Sequence, residues 1–191
     1  MKRLLVILIV VAVVAAIAVG AYLLLTRQEP LEARPPGTDG SARWAYDAAR
    51  PRAQSELASD AVPVEVTGED VMPDGRLAAN RGKWTIAFSS FTAGERVNIS
   101  VDHLGGVTVG ERSSPGVIRA LGTPPGNFTD SITVFANTAG HGAAGARTVE
   151  NPVTCVYDNI AGNHVWTIRY RVDSTTETHK VRADGLWLSV N

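Results

Sequence analysis

Two short stretches, WTIAF at Trp84–Phe88 and WTIRY at Trp166–Tyr170, lie 82 residues apart, and the fold turns on whether they are one element used twice. The match extends downstream at the same offset, pairing Glu95 with Glu177, Asp102 with Asp184 and Leu104 with Leu186. Between these, Val97, Ile99 and Val101 alternate with polar neighbours, and His179, Val181 and Ala183 do the same, the period of a half-buried strand. Each copy therefore reads as a hairpin. Its strands are Trp84–Ser90 with Arg96–Asp102, then Trp166–Val172 with Thr178–Ala183, joined by the turn-rich residues 91–95 and 173–177.

Upstream the order repeats more loosely. Residues 42–59, ARWAYDAARPRAQSELAS, lean to helix, with Pro51 kinking it or opening its second half. VPVEVTGEDV (62–71) and the turn MPDGR (72–76) follow. In the second copy FTDSITVFANTA (128–139) takes the helix place, with Thr129 or Asp130 as N-cap, and PVTCVYDN (152–159) takes the strand and turn.

A helix followed by three or four antiparallel strands, with W-x-I-x-F early and V-x-V-D-x-x-G late, resembles the PepSY family. KWTIAFSSFTAGERVNISVDHLGGVTV (83–109) carries the likeness best. VWTIRYRVDSTTETHKVRADGLWLSV (165–190) is looser, because Ala183-Asp184-Gly185 replaces Val101-Asp102 and the pair Gly105-Gly106 has no counterpart. The resemblance implies an α+β fold per copy, a helix packed on a twisted antiparallel sheet, and a role in protein contact. Such modules occur in the propeptides of secreted metalloproteases and in membrane-anchored extracytoplasmic proteins. Tandem modules of this size are also similar in architecture to secreted β-lactamase inhibitory proteins. The family supplies no catalytic residues; its motif positions, Trp84, Phe88, Asp102, Trp166, Tyr170 and Asp184, are expected to hold the fold.

The chain begins with Met1, Lys2 and Arg3 and continues in 22 uncharged residues, Leu4–Leu25. As a helix these span about 33 Å, enough for a hydrocarbon core of about 30 Å. Ala18-Val19-Gly20 leaves a cleaved signal peptide as the competing reading, although the run is longer than the usual apolar core of about 7–15 residues. Basic residues before the span orient it with the N-terminus in the cytoplasm and the rest of the chain in the periplasm or outside the cell. Residues 26–41, TRQEPLEARPPGTDGS, read as a spacer. The expected division is a cytoplasmic tip (1–3), an anchor (4–25), a linker (26–41), a first module (42–112), an inter-module linker (113–127) and a second module (128–191).

Of the 18 basic residues, Lys2 and Arg3 precede the anchor, and the rest face 19 acidic ones, so no basic footprint for nucleic acid exists. Cys155, the one cysteine, cannot form an internal disulfide and is expected to be buried. GHGAAG at Gly140–Gly145 matches the dinucleotide spacing G-x-G-x-x-G. It precedes a second W-T-I hairpin rather than further β-α units, and the nine residues before Pro152 are too few for a crossover. A glycine-rich loop after a helix is the favoured reading, with Gly140 as a left-handed C-cap. His103, His141, His164 and His179 show no metal-ligand spacing; His164 and His179 flank one hairpin and are expected to face solvent. No G-x-S-x-G elbow is present. Asp102 and Asp184 read as turn caps rather than a catalytic pair. Asn98 and Asn127 lie in glycosylation-acceptor triplets. Trp44, Tyr46, Trp84 and Trp166 fall at apolar positions of predicted elements. Trp187, between Leu186 and Leu188, must point opposite to them and is the candidate partner contact on an exposed face.

The sequence therefore predicts a membrane-anchored, extracytoplasmic interaction protein, not an enzyme, without cofactor or metal. Its partner is another protein, which it restrains or joins as an accessory subunit of a membrane complex. The alternative is a small-ligand- or nucleotide-binding domain using residues 140–145 or a cleft between modules.

Overall fold

A computed structural model describes residues 38–142 and 145–191. The expected tip, anchor and most of the linker lie outside these residues. Among the described residues no helix is long and apolar enough to cross a membrane. They belong to one compact unit.

The fold is α+β. Helix α1 (Ala42–Glu56) precedes strands β1 (Val62–Glu69), β2 (Lys83–Ser90), β3 (Glu95–Asp102) and β4 (Val107–Ser113). Helix α2 (Ser131–Thr138) precedes β5 (Arg147–Asp158), β6 (Asn163–Val172), β7 (Thr175–Arg182) and β8 (Trp187–Val190). All eight strands form one antiparallel sheet in the order β4-β3-β2-β1-β5-β6-β7-β8. The two expected modules are thus joined edge to edge, β1 against β5, through the pairs Val66–Cys155, Thr67–Thr154 and Gly68–Val153.

Both helices pack on one face. Helix α1 offers it small residues, Ala42, Ala45, Ala49 and Ala53, beside Tyr46, so its backbone approaches β2 and β3 closely. It runs through Pro51, an exposed position where the hydrogen bond lost by proline falls on the solvent side. Its N-cap is Ser41, whose hydroxyl accepts from the Trp44 amide. Helix α2 starts at Asp130, the second of the two expected caps.

A chain of rings fills the space between helices and sheet. Tyr46 stacks on Phe88 and meets Phe128 edge-on, Phe128 leans on Trp166, and Trp166 meets Trp84 edge-on at 6.2 Å between centroids. Trp84 lies over β1 because its register partner there is Gly68; a Cβ at Gly68 would come within 2.3 Å of the indole. Cys155 is buried on the same face, and burial pushes its thiol well above its ordinary range.

Three expectations are corrected here. Residues 38–41 are not spacer: Gly40 and Ser41 are buried, and the Gly40 carbonyl accepts from the Trp84 indole at 2.9 Å. Residues 113–127 are not a free linker either, since Ser113 ends β4, Leu121 is fully buried and its amide donates to the Pro63 carbonyl at 2.7 Å. Finally, the constant offset fails inside the second hairpin. Trp84 pairs with Val101 but Trp166 pairs with Val181, because β6 and β7 are joined by Asp173 and Ser174 alone. Asp173 takes a left-handed conformation (φ 53°), which aspartate tolerates better than most residues, and this permits the two-residue turn.

Candidate functional site: the uncovered sheet face

Side chains alternate across a strand, so the register sorts the sheet into lateral rows. On the helix face one row reads Val109, Ile99, Ile86, Val66, Cys155, Trp166, Val181, Trp187, one residue from each strand and all apolar. On the opposite face the neighbouring row reads Thr108, Ser100, Thr85, Thr67, Thr154, Thr167, Lys180, Ser189. Seven of eight strands contribute a hydroxyl. Neither helix contacts this second face; their packing is against the apolar side.

The six inner positions of the hydroxyl row, from Ser100 to Lys180, are half-buried, and Thr85 and Ser100 share a hydrogen bond of 2.8 Å. Beside the row, Ala87 and Ser89 are buried beneath a bridge of 2.7 Å that Arg96 throws across β2 to Glu65. Other ion pairs lie toward the strand ends: Lys83–Glu69, Arg171–Glu150 and Lys180–Asp158. The face thus has a short, mostly uncharged hydroxyl floor within a charged margin. A floor of Thr and Ser loses little rotamer entropy on contact and can both donate and accept hydrogen bonds.

The predicted positions fall as follows. Trp84, Phe88, Trp166 and Tyr170 are buried on the helix face. Asp102 closes the β3–β4 turn, its Oδ1 accepting from the amides of Leu104 and Gly106. Asp184 caps the β7–β8 turn through the Leu186 amide and also holds Arg182, whose guanidinium keeps the carboxyl below its ordinary range. The two aspartates are not equivalent in register: Asp102 is the last residue of β3, whereas Arg182 ends β7. Their side chains cap turns at opposite ends of the sheet and do not meet.

Trp187 is not on an exposed face. Alternation does set it opposite Leu186 and Leu188, but those two are the exposed residues. Trp187 turns to the helix side, packs against the core, and its ring is covered by His141, stacked at 4.0 Å. The histidine expectation is corrected as well. His164 and His179 are buried, and register separates them, since His179 faces Ile168 across the hairpin. His179 contacts Glu177 at 3.2 Å and meets Tyr170 edge-on. Among the described residues no cluster of three or more His, Cys, Asp or Glu is placed to hold a metal.

The glycine-rich stretch follows α2 and leads into an antiparallel strand, the reverse of the strand-then-helix order a dinucleotide needs. ITVFA, at 132–136, is helix, so no strand directly precedes the glycines. Gly140 is not the left-handed residue expected. That conformation falls at Gly142 (φ 84°), where a Cβ would meet the Glu177 carboxylate at 2.3 Å.

The register rows are what sequence reading missed. Alternation within a strand is visible in a string of letters, but pairing β1 with β5 joins residues 85 to 89 positions apart, and no local pattern announces it.

No family model matches the chain, and no curated protein does either. Among solved structures, a Clostridium difficile 630 protein described as a candidate lipoprotein has the same fold, with a TM-score of 0.55 at 13% identity, over 77% of this chain and 91% of that one.

Proposed function

We propose that the chain is a non-enzymatic interaction protein that docks another protein on the uncovered sheet face, and that residues 4–25 hold it at a membrane with this domain outside the cytoplasm. The observation that carries the reading is the row that crosses the sheet with a hydroxyl from seven of its eight strands, beside a charged margin. Interfaces share that division between a centre depleted of charge and a polar rim. Eight strands about 4.8 Å apart, averaging about 24 Å in length, give a face of roughly 800 Å², the contribution of one partner to an interface of standard size. The helix-then-four-strands order, repeated, supports tandem PepSY-like modules as its origin. The description of the Clostridium difficile neighbour is in keeping with a membrane-associated, extracytoplasmic location. Restraint of an enzyme and service as an accessory subunit are both compatible with docking of this kind.

The test is affinity capture of the full-length protein from its native membrane in gentle detergent, beside a Thr67→Arg/Thr154→Arg double variant with unchanged melting temperature. A stoichiometric partner held by the parent and lost by the variant is the expected result. Co-purifying membrane subunits would assign an accessory role, and a single hydrolase would assign restraint. Equal capture by both proteins, or recovery of the parent alone, would overturn the docking face.

A further inference from the structure

A second surface, independent of the docking face, lies where residues 119–129 cross the ends of β5, β6 and β7. There they enclose a cleft of about 570 Å³. Its walls are tied together. The Leu121 amide donates to the Pro63 carbonyl and the Thr129 amide to the Ala183 carbonyl, both at 2.7 Å. The buried His164 ring reaches the Val64 carbonyl at 3.1 Å. A cleft held this way needs little ordering before it binds a small molecule.

Its lining is polar and carries two guanidinium groups, Arg119 and Arg182, against one carboxylate, Asp184. The Arg119 Cζ lies over Tyr157, 3.9 Å from the ring centroid, and NH1 donates to Asn159 Oδ1 at 2.7 Å. The ring contact and that bond hold the guanidinium at the wall of the cleft. Its Nε and NH2 groups have no acceptor among the described residues. Asp184 is engaged side-on by Nε and NH2 of Arg182, which leaves NH1 of Arg182 without one. The amides of Asn127 and Asn163 also line the space, bound only to local carbonyls at 3.4 and 3.2 Å. Burial holds His164 below its ordinary range, so it is neutral near pH 7 and adds no charge of its own.

We propose that this cleft binds a compact oxyanion, a small carboxylate- or phosphate-bearing molecule, with Arg119 as the principal contact and Arg182 as the second. A planar guanidinium held against a ring by a cation–π contact presents paired N–H groups that match a carboxylate or phosphate edge. Asp184 limits affinity by occupying Arg182 and by repelling the ligand.

The experiment titrates the purified full-length protein with citrate and, separately, inorganic phosphate at ionic strength held constant with chloride, read by calorimetry and by melting temperature. Saturable binding of either probe is expected, and the stronger of the two identifies carboxylate or phosphate as the recognised group. Arg119→Gln should weaken binding at least about tenfold. Asp184→Asn, which retains an oxygen for the Leu186 amide, should tighten it by about threefold or more. Chloride matching both probes, or affinities in Arg119→Gln and Asp184→Asn equal to the parent's, would overturn the proposal. Should Arg119→Gln fail to fold, Arg182→Gln together with Asp184→Asn decides the same question.

Discussion

Gly68 and Trp84 are paired across β1 and β2, and the fully buried indole occupies the space a side chain at position 68 would need. Gly68→Ala should therefore cost about 1–3 kcal/mol, the usual penalty of overpacking a filled core, and chemical denaturation of the variant measures it. Buried histidines give a residue-scale pH dependence. Burial pulls His179 and His164 below their ordinary value of 6.5; Glu177 opposes this at His179, while Arg147 and His141 reinforce it. The folded form thus binds protons less readily than the unfolded chain. Stability is complete above about pH 6.5 and falls as the pH drops through that value. The melting temperature should decline between about pH 7 and pH 5, less steeply in His179→Gln, and least in the double variant with His164→Gln; equal slopes would refute the assignment. Trp84 and Trp166 were legible as core because they fall at apolar positions of predicted strands, and Phe88 and Tyr170 were expected to hold the fold through the PepSY resemblance. Trp187 was not: alternation says that it opposes Leu186 and Leu188, but only pairing with Val181 says which of the two faces it takes.

The two helices begin at one joint. Asp130 Oδ1 accepts from the Ser131 amide at the start of α2 (2.8 Å) and from the Arg43 amide at the start of α1 (2.9 Å). Ser131 Oγ accepts from the Ala42 amide at 3.0 Å and donates to the Gly75 carbonyl at 2.6 Å, drawing in the β1–β2 loop. One carboxylate therefore faces the positive ends of two helix dipoles. Losing a single N-cap typically costs about 1 kcal/mol, so Asp130→Ala should exceed that, at about 2 kcal/mol, while Asp130→Asn, which still accepts, should cost less. A loss of well under 1 kcal/mol in Asp130→Ala, by urea denaturation, would show that the joint carries little. Sequence reading reached Asp130 as one of two caps for its own helix, because that signal is local. The link to Arg43, 87 residues away, belongs to tertiary packing. The strands Trp84–Ser90 and Trp166–Val172 were read for the same local reason, whereas the closer turn at Asp173 escaped because residues 173–177 are all compatible with a loop.

At the scale of the whole molecule the two expected modules are not independent bodies. Dividing the chain near residues 113–127 would leave β1 and β5 as bare edges and part Trp84 from Trp166, with Phe128, Leu121, Val66 and Cys155 losing cover from the other half. Burial of a large apolar side chain is worth about 1.5–3 kcal/mol, so this shared seam amounts to on the order of 5 kcal/mol or more. That is comparable with the roughly 5–15 kcal/mol by which a whole domain is stable, and it leaves neither half a reserve with which to stay folded alone. Unfolding should therefore be a single transition. Fluorescence of Trp44 and Trp84 in a Trp166→Phe/Trp187→Phe variant follows the first half, and fluorescence of Trp166 and Trp187 in Trp44→Phe/Trp84→Phe follows the second. Within each variant, the fluorescence midpoint in urea should coincide with that from circular dichroism, and the parent's calorimetric enthalpy should equal its van't Hoff enthalpy. Separate midpoints, or a calorimetric enthalpy well above the van't Hoff value, would mean that the β1–β5 seam opens before the halves melt. The proposed docking face would then be two adjoining surfaces of four strands each, with the hydroxyl row broken between Thr67 and Thr154.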